Sequence, residues 1–221
     1  AAPDSSGWKN VMIGSQYDPI NDQQSSADTD LLGNKSNPML QAQLASVTGP
    51  TDTIFYFRVR VGTLSNGNAS NSFYLGLNLK GIGLYPTADM FVEMKYSIIS
   101  NSLKKSEINF HQADFSNGNT GYSPSTTAWK NSTNNENIQY TVFNSNNGGG
   151  SDANGYIAFA DTGSDLDSDG KNDRYITFGF TLSQLNAWAH SGINAGATQV
   201  SANNIVATPV TGSSAIVLTE S

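Results

Sequence analysis

The sequence predicts an all-β fold, an antiparallel β-sandwich of jelly-roll type with one short helix. Several segments alternate apolar and polar residues with a period of two, which is typical of half-buried strands. Connectors rich in Gly, Asn, Ser and Thr separate these segments, and only one short stretch has helical spacing. A chain of 221 residues can bury a substantial core, so we expect a single β-sandwich domain over residues 1–221.

The first predicted strand covers residues 54–61, where four apolar residues occupy alternate positions. They are Phe55, Phe57, Val59 and Val61, whereas Tyr56, Arg58 and Arg60 face the other way. The alternation resumes over residues 73–79, after a turn that contains Asn66-Gly67. Because Asn-Gly between two alternating segments is a strong hairpin signal, we expect these two strands to pair.

The rest of the chain supplies further strands and the helix. Met90–Ile99 is rather apolar on both faces, which predicts a central position in its sheet. The other predicted strands cover residues 138–143, 156–160, 175–182, 204–210 and 215–219. A helix is expected at residues 183–190, with Ser183 as N-cap and with Leu182, Leu185 and Trp188 on its buried face.

Residues 1–50 are polar and acidic, and we expect them to form an N-terminal arm. The simplest interpretation is an irregular, solvated lead-in. Four aspartates are spread along it: Asp18, Asp22, Asp28 and Asp30. They leave two alternatives open, a second oxygen-rich metal site or an arm that packs across the domain.

The composition argues against several classes of partner and chemistry. A net charge of −7 and a pI near 4.6 disfavour nucleic acid and anionic membranes, which attract clustered Lys and Arg. The chain has no cysteine, so it can form neither disulfides nor thiolate sites. No apolar run approaches the roughly 18 residues of a spanning helix, and no membrane insertion is expected. Because Ala1-Ala2-Pro3 fits a start just after a signal-peptide cleavage site, we expect an extracellular or cell-surface protein.

The segment 165–173 matches the calcium-loop pattern D-x-D-x-D-G-x-x-D. Asp165, Asp167, Asp169 and Asp173 occupy its first, third, fifth and ninth positions, and Gly170 occupies the sixth. Ca²⁺ takes six to eight oxygen ligands, and the glycine permits the sharp turn that wraps the loop around the ion. We expect these four carboxylates and the main-chain carbonyl of Lys171 to be ligands. A solvated acidic turn is the alternative.

This loop differs from an EF-hand loop in two respects. It joins two predicted strands rather than two helices, and its twelfth position is Ile176, where an EF-hand has a bidentate Glu. The missing ligand has to come from Asp161, Asp152, an N-terminal aspartate or water. With water as that ligand, we expect the weak affinity of extracellular modules, on the order of 10⁻⁴ to 10⁻³ M.

The sequence offers little for catalysis. His111 and His190 form no H-x-x-x-H or H-E-x-x-H motif, and no G-x-S-x-G motif is present. Glu93 with an aspartate is the only glycosidase-like pair we consider, and we expect no enzymatic activity. In the polar segment 111–137, Trp129 is the best candidate for stacking on a sugar ring, although core packing is the more ordinary role of a tryptophan.

Segments 52–61 and the acidic loop running into residues 175–180 resemble secreted bacterial β-sandwich domains of the DOMON and family 9 carbohydrate-binding type. The resemblance covers residues 50–190 and implies binding of sugars or other ligands on a rigid sandwich with structural calcium. Two functions are therefore expected. The first is a structural subunit of an extracellular fibre, sheath or matrix, in which a copy of the same chain adds a strand to the sheet; the strand-like residues 215–218 favour it. The alternative is a carbohydrate-binding module with polysaccharide as partner.

Overall fold

The computed structural model describes residues 2–10, 30–46, 53–62, 69–77, 90–99, 102–112, 139–146, 148–152, 155–189 and 216–220. Within these residues the chain forms eleven strands and one short helix. The strands are β1 Lys9–Asn10, β2 Leu40–Ser46, β3 Thr53–Val61, β4 Ala69–Leu77, β5 Met90–Ile99, β6 Ser102–Gln112, β7 Gln139–Ser145, β8 Gly150–Ser151, β9 Gly155–Asp161, β10 Arg174–Thr181 and β11 Ile216–Glu220. The helix α1 is Leu182–Ala189. The predicted all-β class with a single short helix is confirmed.

The strands form two antiparallel sheets. Sheet A has the order β1-β2-β3-β10-β9-β8, and sheet B has the order β11-β4-β5-β6-β7. Four consecutive strands, β4 to β7, are direct neighbours in sheet B and therefore form a meander. The jelly-roll type stays a prediction.

One hydrophobic core lies between the two sheets. The alternating residues of β3 enter it as predicted, and Phe55, Phe57, Val59 and Val61 are fully buried. Aromatic rings join the sheets: the Phe110 and Phe180 centroids are 5.1 Å apart, and those of Tyr96 and Phe159 are 5.7 Å apart. Each fully buried side chain of this size contributes about 1.5–3 kcal/mol, so this core is the main source of stability.

The sequence predicted several strands correctly. Met90–Ile99 forms β5 between β4 and β6 in the middle of sheet B, as its two apolar faces indicated. The strands predicted at 138–143 and 215–219 correspond to β7 and β11, and the acidic loop joins β9 to β10. The strand predicted at 204–210 lies outside the described residues.

The predicted hairpin between the strands at 54–61 and 73–79 is wrong. Strand β3 belongs to sheet A, whereas β4 belongs to sheet B, where it pairs with β5 and β11. Each strand has one apolar face, and the two faces meet across the core instead of lying side by side. Phe57 of β3 and Phe73 of β4 belong to the same core cluster. The segment that contains Asn66-Gly67 therefore connects the two sheets.

Part of the predicted N-terminal arm is built into sheet A. Residues 40–46 form β2, which pairs with β3 along its whole length, and the buried Leu40 and Ala42 face the core. Residues 2–10 contact β2 and β3. The choice between a solvated lead-in and an arm that packs across the domain stays a prediction. Asp30 is buried beside the end of β3, and its carbonyl accepts a hydrogen bond from Gly62 N. Asp18, Asp22 and Asp28 lie outside the described residues.

Helix α1 begins one residue earlier than predicted, and its cap is Thr181 rather than Ser183. Thr181 Oγ1 accepts a hydrogen bond from Gln184 N at 3.1 Å, and Gln184 Oε1 accepts one from Thr181 N at 3.2 Å. This reciprocal pair is a capping box, which satisfies two backbone donors that the helix cannot satisfy itself. Leu185 is buried and Leu182 packs against the core, as predicted.

Among the described residues, no helix is long and apolar enough to cross a membrane.

Candidate metal centre

The acidic loop is the connection of the β9–β10 hairpin. The two strands pair from Asp161 opposite Arg174 to Gly155 opposite Phe180, so both ends of the loop are fixed by the sheet. Two further backbone hydrogen bonds extend the pairing into the loop, Thr162 N to Asp173 O at 3.0 Å and Asp173 N to Ser164 O at 2.8 Å. The loop is therefore anchored to the hairpin at its base.

Three carboxylates of the loop converge. Asp165, Asp167 and Asp173 each place one oxygen so that the three oxygens lie within 4.8 Å of one another. Asp173 is buried, and the other two are partly exposed. Carboxylate oxygens at this spacing are hard ligands that suit a cation such as Ca²⁺. Two of the converging residues are separated by one position and the third lies six residues later, as the calcium-loop pattern predicts.

Backbone hydrogen bonds to carboxylates shape the turn. Gly170 N donates to Asp165 Oδ2 at 2.9 Å, and Lys171 N donates to Asp169 Oδ1 at 2.8 Å. Gly170 has a φ of 88°, a conformation that glycine adopts at little cost, and Ser168 also has a positive φ of 61°. The sharp turn predicted at Gly170 is therefore present.

Arg60 of β3 holds Asp173 in place from beneath the loop. Its Nη2 lies 2.6 Å from Asp173 Oδ2, its Nε lies 2.7 Å from the same oxygen, and both side chains are 1% exposed. Leu166 N lies 3.2 Å from each Asp173 oxygen. Arg60 Nη2 also donates to Thr162 Oγ1 at 3.2 Å and to Ser164 Oγ at 2.5 Å. One buried guanidinium thus ties the beginning of the loop to its end.

Sequence reasoning assigned no role to Arg60. The alternation of β3 correctly placed Arg60 on the face opposite the core, which usually faces solvent. The loop covers this face of sheet A, so Arg60 is buried there. Three arginines are present in the chain, and the position of one of them on a strand gives no signal of a partner 113 residues away.

The other predicted ligands have different surroundings. Asp169 is exposed and lies outside the group of three converging carboxylates, and Lys171 is exposed, so the role of its carbonyl stays a prediction. Asp161 accepts hydrogen bonds from Gly163 N at 2.7 Å and Asn172 Nδ2 at 3.0 Å, and its other oxygen lies 3.4 Å from Arg174 Nη1. These contacts close the base of the loop.

Asp152 does not lie near the converging carboxylates. Asp152 Oδ1 accepts a hydrogen bond from Gly155 N at 2.8 Å in the turn between β8 and β9. That turn lies at the opposite end of β9 from the loop, about 20 Å away at 3.3 Å per strand residue. Trp129 lies outside the described residues.

The pKa values of two neighbouring carboxyls of the loop shift in opposite directions. Burial raises the pKa of Asp167 to about 6, and its hydrogen bond to Asp165 adds to this effect. Burial would also raise the pKa of Asp165, but hydrogen bonds from Gly170 N and from Asp167 hold that pKa below its ordinary value. Two carboxylates this close favour sharing one proton, and a bound cation would relieve the same repulsion.

A row of stacked side chains continues from the loop across sheet A. Arg58, two residues before Arg60 on the same face, has its guanidinium carbon 4.1 Å from the Tyr175 ring centroid and 4.4 Å from the Trp8 ring centroid. The Arg60 guanidinium carbon lies 5.8 Å from the Tyr175 ring centroid. The row therefore connects the acidic loop to the N-terminal segment through contacts within the range of cation–π attraction.

Comparison with known proteins identifies no relative. No protein-family model matches the chain, and neither the search of curated proteins nor the search of solved structures found a match. The function of the protein is therefore inferred from the chemistry of the loop and from the architecture that holds it.

Proposed function

We propose that this protein is a secreted, non-enzymatic calcium-binding domain that serves as a structural subunit of an extracellular or cell-surface assembly. The convergence of Asp165, Asp167 and Asp173 on a turn with the calcium-loop sequence carries the proposal. Asp169 and the carbonyl of Lys171 complete the proposed ligand set, and water supplies the position where an EF-hand has its twelfth-position Glu.

The anchoring of the loop supports a structural role for the ion. Arg60 neutralises Asp173 and fixes both ends of the loop, so the ligands are arranged by the protein before the ion arrives. Such a site adds stability by binding the folded state rather than by ordering a large segment. Calcium is then a brace on the β9–β10 hairpin of an extracellular domain that contains no cysteine and hence no disulfide.

Sheet edges support the assembly part of the proposal. Strand β11, near the end of the chain, pairs with β4 through Ile216–Glu220 at the edge of sheet B. The same strand from a neighbouring copy could form the same backbone hydrogen bonds, which is how strand addition joins subunits. At the far edge of sheet A, β8 pairs only with Tyr156 and Ile157 among the described residues of β9. A partner strand added along the rest of β9 would lie next to the acidic loop.

Replacing Asp167 and Asp169 by Ala tests the calcium site. At 10 mM calcium a Kd of 10⁻⁴ to 10⁻³ M would stabilise the wild type by about 1.4–2.7 kcal/mol, because the ion binds only the folded state. We expect Asp167→Ala/Asp169→Ala to lose this gain in thermal melts with calcium and with chelator. The control Glu107→Ala/Asp152→Ala removes two charges elsewhere and should keep it. Identical wild-type melts in calcium and in chelator would refute the metal site.

Light scattering and electron microscopy test the assembly. Protein purified in chelator should form ordered filaments or sheets when millimolar calcium is added, and the Asp167→Ala/Asp169→Ala variant should stay monomeric. A wild-type monomer that calcium stabilises but does not assemble would refute the subunit role while leaving the calcium site intact.

A carbohydrate-binding module with structural calcium is the second candidate. The resemblance of segments 52–61 and 165–180 to the DOMON and family 9 carbohydrate-binding type favours it, as does Trp129 in a polar segment. Trp8 and Tyr175 are poorer candidates for a sugar platform, because Arg58 lies over a face of each ring. We expect Trp129→Ala to weaken retention on insoluble polysaccharide, by about 0.5–1.5 kcal/mol if one ring stacks on the sugar. Tyr175→Phe is the matched control and should bind as the wild type does.

A further inference from the structure

We propose that the N-terminal segment, residues 2–10, docks on sheet A of a second copy of the chain and links copies within the assembly. The proposal rests on the proposed role as a structural subunit and names a contact through which copies join. Two observations support this contact: the interactions that hold residues 2–10 on sheet A, and the length of the chain between residue 10 and residue 30.

The segment is held by a side chain that recognises its backbone. Gln43 of β2 is 5% exposed, and its Oε1 accepts a hydrogen bond from Asp4 N at 2.7 Å. The Nε2 of the same amide donates to Asp4 O at 2.9 Å. The buried Gln43 amide thus makes the two hydrogen bonds to Asp4 that the backbone of a neighbouring strand would otherwise make. The same amide would bind a segment of the same sequence from any copy of the chain.

Gly7 allows the segment to lie close to this amide. A Cβ added to Gly7 would be 2.5 Å from Gln43 Nε2 and 3.0 Å from its Cδ. Gln43 cannot move away without losing both hydrogen bonds to Asp4. The docking position therefore requires a small residue, which provides a substitution that should detach the segment.

Two further contacts complete the docking. Strand β1 pairs with β2 through Lys9 opposite Ala42 and Asn10 opposite Gln41, and the Trp8 ring covers the guanidinium of Arg58. Backbone pairing at a sheet edge, with side chains of the added segment contacting the existing sheet, is the geometry of strand addition; here the Trp8 ring reaches past β2 to Arg58 of β3. The surface therefore fits an extended segment of this sequence.

The length of the following chain permits exchange between copies. The segment ends at Asn10 beside Gln41, and the described chain resumes at Asp30 beside Gly62. Gln41 pairs with Arg58, and Gly62 lies four residues after Arg58 along the line of β3. At 3.3 Å per strand residue, Asn10 and Asp30 are therefore separated by about 13 Å along the strand direction. Residues 11–29 can span up to about 60 Å. This reach allows the segment to bind a neighbouring copy, and exchange preserves every contact that docking makes.

Cysteine pairing distinguishes docking within one chain from docking between chains, since the native chain contains no cysteine. Asn10 and Gln41 are opposite each other in antiparallel strands, so cysteines at both positions fall within disulfide range. The test mixes Asn10→Cys chains with Gln41→Cys chains that carry a size tag, adds millimolar calcium, oxidises, and separates the products on a non-reducing gel. Asn10→Cys chains mixed with tagged Lys104→Cys chains are the control, because Lys104 is exposed on sheet B.

We expect a mixed-size disulfide dimer from Asn10→Cys with Gln41→Cys, with a yield well above that of the control mixture. Adding Gly7→Val to the Asn10→Cys chain should remove this dimer. Light scattering of the same samples separates the two ways of failing. Assembly without the mixed dimer overturns segment exchange alone, whereas no increase in size overturns the structural-subunit role and segment exchange with it.

Discussion

Arg58 and Arg60 lie two residues apart on the same face of β3, yet their surroundings differ. Arg60 is 1% exposed and its charge is balanced by Asp173, which it contacts at 2.6 and 2.7 Å. Arg58 is partly exposed and lies between the rings of Trp8 and Tyr175, with its Nε donating to Gln41 Oε1 at 2.7 Å. One arginine holds the acidic loop by charge, and the other holds the N-terminal segment by stacking.

The difference follows from what covers each part of sheet A. The acidic loop covers the Arg60 end of the outer face and excludes water, and a guanidinium there requires a carboxylate partner. A short segment covers the part of β3 around Arg58, where the guanidinium keeps some water and aromatic faces suffice. The same residue type therefore makes a rigid anchor near the end of the strand and an exchangeable contact two residues earlier.

The largest effect should come from removing Arg60. Arg60→Met leaves the buried Asp173 carboxylate without its cation, which typically costs about 3–5 kcal/mol. We expect the free energy of unfolding, measured by urea denaturation in chelator, to fall by this amount. The double variant Arg60→Met/Asp173→Leu removes both charges and should recover much of the loss. If single and double variants were equally unstable, lost packing rather than the unpaired charge would be the cause.

Removing Arg58 should have a smaller effect. Arg58→Ala eliminates two ring contacts of a partly exposed guanidinium, and cation–π contacts of this kind contribute about 0.5–1 kcal/mol each. We expect a loss of about 1–2 kcal/mol in the same denaturation assay, because the two contacts are of this size. Arg58→Lys keeps the charge but not the planar stack and should give part of this loss. A loss as large as that of Arg60→Met would show that the surroundings of the two arginines do not differ in this way.

Period-two alternation was enough to predict strands that have a clear apolar face. Strands β3, β5 and β10 were found because apolar residues occupy alternate positions in β3 and β10 and most positions in β5. Strand β2 was missed because residues 1–50 were assigned to a polar arm, although Leu40, Ala42 and Leu44 alternate with glutamines. Strand β6 was missed because lysine and serine interrupt the pattern, although Ile108 and Phe110 are buried. Burial at those positions depends on neighbouring strands that a local window does not contain.

Alternation shows that a strand has one buried face, but it does not show to which of the two sheets the strand belongs. The two strands around Asn66-Gly67 each show one apolar face, and this pattern is the same whether they pair or face each other across a core. The choice depends on β10 and β2, which flank β3 in sheet A and come from distant parts of the chain. The hairpin prediction failed for this reason.

At the loop, the sequence predicted the carboxylates but not what holds them. Ligand type and spacing depend on nearby residues, so Asp165, Asp167 and Asp173 could be predicted to converge. The contact between Arg60 and Asp173 joins residues 113 positions apart and depends on the β3–β10 register.

The helix cap, like the spacing of the carboxylates, depends only on nearby residues and could have been predicted. Thr181 and Gln184 form the sequence pattern of a capping box, which the choice of Ser183 overlooked.

Tyr56, the third outward-facing residue of β3, should show the smallest effect, which is confined to alkaline pH. It is fully buried, and burial together with the neighbouring Tyr156 phenol raises the pKa of Tyr56 to about 12. In the unfolded chain a tyrosine ionises near pH 10, so its contribution to stability is complete below about pH 10 and is lost as pH rises towards about 12. In urea denaturation over this range we expect the wild type to lose stability more steeply than Tyr56→Phe, which keeps the ring that meets Tyr156 edge-on. Parallel pH profiles would mean that Tyr56 ionises as readily in the folded protein as in the unfolded chain, and that this part of sheet A admits water as the part of β3 around Arg58 does.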